Sequence, residues 1–222
     1  MGAVATVAVL PMKSFSEAKR RLRRELSPGQ RRALVEAMFS DVLIALRRAT
    51  AVQRVVVVSA DHGAQQIAAG YGASVVADDE RGHNPAAALG VNAALEFGAE
   101  RALLVPGDCP AMSPPEVDAL IARPAGSRSV RIVPDRHGTG TNALLLTPPD
   151  ALAPSFGPDS RTRHLAAAER SGVEAEVVEV PSLAMDVDTP EDLEALQSAL
   201  DNSHGGAAHT RGMLTQLMRS RA

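Results

Sequence analysis

The stretch Arg101–Pro110, RALLVPGDCP, decides how this chain is read. An apolar run stops at a Pro-Gly turn and then presents one carboxylate, Asp108. A buried parallel strand reads as such a run, because both of its faces are covered. Open α/β sheets bind ligands beyond the carboxyl ends of their strands, which places Asp108 where a metal-bound substrate is expected. A second acidic pair, Asp186 and Asp188 in AMDVDTPEDL, also follows apolar, strand-like segments (Val177–Val180, then Leu183–Met185). Two carboxylate clusters from distant parts of the chain, arriving at one sheet edge, suit Mg²⁺. That ion prefers one or two protein carboxylates plus substrate phosphates. The competing reading is that these aspartates only cap turns and helices.

On either side of this stretch, strands alternate with helices. Val4–Leu10 and Arg54–Ser59 read as buried strands, Ser74–Ala77 as a brief one, and a further strand finishes at Asp108. Val130–Pro134, Ala143–Leu146 and Glu176–Val180 complete the set. Ser27-Pro28-Gly29-Gln30 carries an N-cap, Pro at the first helical position and Gln two residues later, which predicts a helix to about Ala49. Its inward positions include Ala33, Ala37, Val42 and Leu46. Further helices are predicted over Asp61–Ala69, Pro85–Phe97, Ser113–Ala122, Ser160–Ser171 and Pro190–Leu200. This alternation predicts an α/β fold, a mixed, mostly parallel sheet with helices on both faces. Residues 1–200 read as one domain; 201–222, lacking periodicity, read as a loosely ordered tail with at most a weak terminal helix.

Composition excludes several classes of function. A net charge of −3 and an aromatic content of 2% leave neither a basic stripe nor stacking platforms for nucleic acid. No apolar run approaches a membrane span, and no charged segment precedes an apolar one at the N-terminus. One cysteine, Cys109, rules out an internal disulfide framework, fits a reducing cytoplasm, and reads as a small apolar filler. The basic residues are informative: 21 arginines but only two lysines, Lys13 and Lys19, both after the first strand. Where Arg has replaced Lys nearly everywhere, the surviving lysines point to sites needing a compact ammonium.

Two phosphate-binding devices are missing: no GxxxxGK[ST] loop, and no GxGxxG after the first strand. Lys13, Lys19, Arg20 and Arg21 stand there instead, at the start of a helical turn, where positive side chains and free N–H groups attract a triphosphate. A solvated basic face is the alternative. Asp135–Asn142, DRHGTGTN, alternates Gly with Thr and suits either a concave array of donors for an anion or a plain hairpin turn. Phe156–Ser160, FGPDS, opens a helix with Ser160 as a possible cap, and Arg161, Arg163 and His164 crowd the first turns. Thr189-Pro190-Glu191-Asp192 is a helix start, which accounts for Thr189 and Asp192 without chemistry. His62, His137 and His164 show no metal-ligand spacing, His204 and His209 lie in the tail, and no Ser–His–Asp arrangement is legible.

Taken together, AVLPMKSFSEAKRRL, LLVPGDCPAMSP, DRHGTGTNALLL, FGPDSRTRH and MDVDTPEDL resemble one family, over about residues 4–197. It is the guanylyltransferases that activate 2-phospho-L-lactate or phosphoenolpyruvate in coenzyme F420 biosynthesis. The resemblance implies a Rossmann-like nucleotide-diphospho-sugar-transferase (GT-A) fold and attack of a substrate phosphate on the α-phosphorus of GTP. By position, Thr141, Gly157 and Ser160 would hold the phosphorylated three-carbon acid. Asp108 and Asp188, with Asp186, would hold Mg²⁺; Lys13, Lys19 and Arg21 would face the triphosphate; Asn84 would face guanosine. No motif decides among phosphoenolpyruvate, 2-phospho-L-lactate and 3-phospho-D-glycerate; the arginine-rich, lysine-poor composition points to a GC-rich bacterial genome, for which the resemblance implies the family's phosphoenolpyruvate-using members first. A molybdopterin nucleotidyltransferase is the rival enzyme, though it should carry a Gly-rich loop after the first strand. A nucleotide-sensing module without turnover is the rival from another class. A homodimer, and hand-off of the labile product to a downstream transferase, are both compatible with the sequence.

Overall fold

The computed structural model describes residues 6–15, 19–79, 81–203 and 205–219. The first residues of the expected opening strand, and Ser16–Ala18 and His204, lie outside them. In chain order the elements are β1 (Thr6–Pro11), α1 (Pro28–Arg48), β2 (Arg54–Ser59), α2 (His62–Gly70) and β3 (Ser74–Ala77). There follow α3 (His83–Glu96), β4 (Arg101–Leu104), α4 (Pro114–Ala122), β5 (Ser129–Pro134) and β6 (Thr141–Thr147). The chain continues with α5 (Ser160–Arg170), β7 (Glu174–Val177), α6 (Pro190–Asp201) and α7 (Ala208–Arg219).

The seven strands form one sheet in the order β3-β2-β1-β4-β6-β5-β7. β6 alone runs against its neighbours, pairing antiparallel with both β4 and β5, while the other pairs are parallel. The expected mixed, mostly parallel sheet is therefore what forms. Because β6 is reversed, its first residue, Thr141, reaches the same sheet edge as the carboxyl ends of β1, β2 and β4.

β1 is buried along its whole length. With a side-chain period of two, Ala8 and Leu10 face one core while Val7 and Val9 face the other. The first core packs α1, α4, α6 and α7 on one face of the sheet; the second packs α3 and α5 on the other. In α1 the buried stripe is Leu34, Val35, Met38, Phe39, Val42, Leu43 and Leu46, so Ala33 and Ala37 lie at its margin instead of within it. The predicted capping box forms: Ser27 accepts from Gln30 N, and the Gln30 side chain accepts from Ser27 N.

On the second face α3 approaches β1 closely through Gly90. A Cβ there would overlap Val9 and crowd Val58, both fully buried in the sheet. Neither β-branched side chain can swing away from a packed strand. Gly90→Ala is expected to cost about 1–3 kcal/mol, the usual penalty of overpacking, and thermal or denaturant unfolding measures it. A variant as stable as the parent would mean that α3 slides without cost.

Three expectations are corrected. The strand before Asp108 ends at Leu104, because Pro106 cannot donate to a ladder, and Asp108 is reached through a short loop. Leu183–Met185 is no strand: Pro181–Leu183 makes a 3₁₀ turn, and the preceding strand sits at Glu174–Val177. The tail is not loose. α7 lies along α1 with Thr210, Leu214 and Leu217 buried, and Asp41 of α1 accepts from the backbone N–H groups of His209 (3.2 Å) and Thr210 (2.7 Å) at its start. No helix among the described residues is long and apolar enough to cross a membrane.

Candidate active site

The loop after β1 begins the site. Asp61, at the start of α2, holds this loop from behind: one carboxylate oxygen accepts from Ser14 Oγ and Phe15 N, both at 3.0 Å, while the other caps Gly63 N and Ala64 N. Lys13 is left exposed on the loop, lining the groove along the sheet edge. Lys19 starts the 3₁₀ turn Arg20–Leu22 with its backbone in the left-handed region (φ 55°), a conformation that costs a non-glycine residue about 1–2 kcal/mol. The buried Leu22 anchors that turn, and Arg21 stays exposed on it.

The strained backbone carries Lys19 inward. Its side chain is only 6% exposed, and its ammonium bonds both Asp108 Oδ2 and Asp188 Oδ1, the latter at 3.0 Å. Burial alone would lower the ammonium's pKa, but the two carboxylates outweigh it and raise the pKa above its ordinary value. Carboxylates 80 residues apart in sequence thus meet, and the cation they share is the Lys19 ammonium, which was expected to face a triphosphate. Asp188 is placed by its own helix start: Asp192 Oδ2 accepts from Asp188 N at 2.9 Å and from Thr189 N at 2.7 Å.

Asp186 accepts from Asn142 Nδ2 at 3.0 Å. Burial pushes its carboxyl pKa up, and the nearby Asp108 and Asp188 add to this against the opposing Asn142 bond. No group of three or more His, Cys, Asp or Glu among the described residues has the geometry of a metal cage. What exists is a pair, Asp108 and Asp188, with Asp186 beside it. Asp108 Oδ1 is buried with no hydrogen-bond partner among the described residues. An uncompensated carboxylate oxygen next to further carboxylates is a hard donor suited to a hard cation. Cys109 behaves as a filler: it is fully buried, its Sγ points to Leu183 O at 3.5 Å, and burial holds its thiol pKa well above normal.

Of the remaining expected residues, Thr141 lines the groove beside Phe156, and Gly157 and Ser160 follow Phe156 in the chain; two expectations are revised. DRHGTGTN is a hairpin turn that spends three of its N–H groups internally: Asp135 N donates to Gly140 O, Gly138 N to Asp135 O and Thr139 N to Asp135 Oδ1. It is therefore no open donor array, and Thr141 just beyond it is the residue that faces the site. Ser160 is not a cap either. Asp159, in the left-handed region, holds the N-cap position without a side-chain bond, and Ser160 is buried in the first turn of α5. Gly157 has φ +119°, which a side chain would resist, and this bend turns the loop into the helix.

Asn84 does not present its amide to a ligand as the resemblance implied. Its Oδ1 accepts from Phe156 N at 2.7 Å and its Nδ2 donates to Phe156 O at 3.1 Å, which pins FGPDS to the start of α3.

One residue of the site escaped the sequence reading. His83 lines each of three adjoining cavities along the edge. The first, about 250 Å³, runs past Met12, Asp78 and Gly82; the second, about 370 Å³, holds Lys13, Lys19, Asp108 and Asp188; the third, about 50 Å³, ends at Thr141 and Phe156. Burial lowers the His83 pKa, with Lys13 adding to it against Asp108 and Asp78. In the run HNPAAAL the resemblance singles out only Asn84, and no spacing marks His83.

The groove thus joins a roomy pocket, a cluster of two lysines and two carboxylates, and a small, mostly apolar recess that holds Thr141 and Asn142. Such an arrangement can draw together two anionic phosphates. Comparison with known proteins agrees. The chain is 53% identical over 219 residues to a phosphoenolpyruvate guanylyltransferase from Conexibacter woesei, covering 98% of each chain. It is 33% identical to a 2-phospho-L-lactate guanylyltransferase from Methanothermobacter thermautotrophicus, over 96% of this chain and 91% of that one. Among solved structures, one described as a nucleotide-diphospho-sugar transferase from Desulfovibrio desulfuricans superposes with a TM-score of 0.77, over 97% of both chains at 16% identity, which shows the shared fold. The profile of the family described as "Guanylyl transferase CofC like" matches residues 6–220, and the chain belongs to that family.

Proposed function

We infer that this protein transfers GMP from GTP to phosphoenolpyruvate, releasing pyrophosphate, as a step in coenzyme F420 biosynthesis. The observation that carries this reading is the meeting of Asp108 and Asp188 on the Lys19 ammonium, at the carboxyl edge of the parallel strands. Family membership supports guanylyl transfer, and the relative from Conexibacter woesei favours phosphoenolpyruvate as acceptor.

A phosphate oxygen of the acid forms a new bond to the α-phosphorus of GTP as the bond to pyrophosphate breaks. The attacking oxygen is already anionic at neutral pH, so no proton need be removed. The barrier is electrostatic and positional: two anions must approach in line. Lys13 and Lys19 supply positive charge beside the triphosphate. Thr141, Gly157 and Ser160 hold the acid across the groove, and Asn84 fixes the loop that carries two of these. Asp108 and Asp188 would hold Mg²⁺, with Asp186 behind them; the buried, unpartnered Asp108 Oδ1 fits that role. When bound, the ion neutralises phosphate charge and stabilises the charge that develops at the α-phosphate.

Pyrophosphate release is the direct test, with GTP and Mg²⁺ offered phosphoenolpyruvate, 2-phospho-L-lactate or 3-phospho-D-glycerate in parallel. The highest kcat/KM is expected for phosphoenolpyruvate. GTP binding without release of pyrophosphate with any acid would contradict enzymatic function. In the same assay Thr141→Ala and Ser160→Ala are expected to raise KM for the acid about tenfold, the worth of a hydrogen bond to a charged group, with KM for GTP unchanged. A rise confined to GTP would reverse the assignment of the two halves of the groove.

A further inference from the structure

His164, on the second turn of α5, is fully buried yet belongs to no expected site. It joins two segments. Ser155 N donates to its Nε2 at 2.9 Å, and its Nδ1 lies 3.0 Å from Thr141 Oγ1. A backbone N–H can only donate, so Nε2 must be the acceptor and carries no proton. The single ring proton then sits on Nδ1 and is donated to Thr141 Oγ1. A hydroxyl that accepts from the imidazole keeps its own hydrogen for another acceptor. No other bond of Thr141 Oγ1 occurs among the described residues, and Thr141 lines the small recess with Phe156 and His83.

We propose that His164 is a positioning residue that fixes the Thr141 hydroxyl as a hydrogen-bond donor pointing into the recess, toward an anionic oxygen of the acid substrate. This rests on the reading of Thr141 as a contact of the acid. The direction of the bond matters, because a hydroxyl aimed the other way would present lone pairs to an anion. The ring is well suited to hold one tautomer. Burial, with the neighbouring Arg163, lowers its pKa to about 4, so it stays neutral at working pH. The Phe156 ring also packs edge-on to it at 5.5 Å. His83 packs on Phe156 in the same manner at 5.2 Å, so the wall of the recess is continuous from α3 to α5.

Two substitutions separate this role from merely holding the loop. An asparagine amide overlies the Nδ1 position of histidine, so His164→Asn keeps a donor for Thr141 and loses the acceptor for Ser155. A glutamine amide overlies Nε2, so His164→Gln keeps the acceptor and loses the donor. With phosphoenolpyruvate and GTP varied in turn, Thr141→Val and His164→Gln are each expected to raise KM for the acid about tenfold, with KM for GTP unchanged. His164→Asn is expected to stay within about threefold of the parent. The Thr141→Val/His164→Gln double variant should be no worse than Thr141→Val alone, since the histidine acts through that hydroxyl.

Equal losses in the Asn and Gln variants, or single effects that multiply in the double, would overturn the inference in favour of a loop-holding role. If Thr141→Val raises KM but His164→Gln does not, the inference fails and the reading of the acid site stands. If Thr141→Val leaves KM for the acid unchanged, that reading fails and takes the inference with it. Imidazole ¹⁵N chemical shifts of the unaltered protein give an answer independent of folding in any variant. A pyrrole-like Nδ1 and pyridine-like Nε2 are expected at pH 7, and the opposite tautomer or an imidazolium would overturn the inference.

Discussion

Replacing Asp108 by alanine is expected to lower kcat at least about 100-fold, the scale on which a single transition-state stabiliser is lost, while the protein stays folded. Asp108 has two uses in the site, one oxygen on Lys19 and the other buried without a partner. Its removal takes away a buried hard donor that lines the groove. The residual pair of Lys19 and Asp188 still neutralises itself, so folding should survive. Steady-state rates at saturating Mg²⁺, with a melting curve for each protein, check this. A folded variant whose kcat stays within about threefold of the parent would remove Asp108 from the chemistry.

The second large effect is expected at Lys19. Lys19→Met leaves Asp108, Asp186 and Asp188 together without their internal cation, and removing one partner of a buried pair typically costs about 3–5 kcal/mol. Asp188 is 53% exposed, so the lower end of that range applies. Turnover should fall at least about 100-fold as well, because the proposed reaction sets the same ammonium beside the triphosphate. Lys19→Arg is expected to rescue little: a planar fork needs more room than the 6% exposed ammonium has, and it cannot act as a compact charge between two carboxylates. Millimolar Mg²⁺ should raise the melting temperature of Lys19→Met more than that of the parent, since the ion then supplies the missing positive charge. Full activity in Lys19→Arg would show that charge alone suffices there.

The local signals in the sequence were those with a local cause. Arg54–Ser59 reads as a strand because every residue is apolar, β-branched or flanking. Ser27 with Gln30 and Thr189 with Asp192 read as helix starts because capping boxes are complete within four residues. The scarcity of lysine singles out Lys19, and the structure places its ammonium between two aspartates. What stayed hidden depends on contacts across the chain. Asn84 is expected to face guanosine only through the resemblance; the partner that takes up its amide, Phe156, is 72 residues away and invisible to local reading. α7 is not legible in the sequence because Gly205 and Gly206 interrupt the pattern before it, while its N-terminal partner, Asp41, lies in α1. His164 gave no spacing signal because its partners, Thr141 and Ser155, come from a strand end and a loop. Ser160 followed a turn that resembles a cap, yet the left-handed Asp159 takes that place.

The proposed reaction would use a divalent ion held by Asp108 and Asp188 to neutralise phosphate charge. Anomalous scattering from crystals grown with Mn²⁺ and a non-hydrolysable GTP analogue measures this most directly. One peak is expected, within coordination distance of a carboxylate oxygen of Asp108, one of Asp188 and a phosphate oxygen of the analogue. Nucleotide bound in the groove with the ion touching neither aspartate would contradict the account.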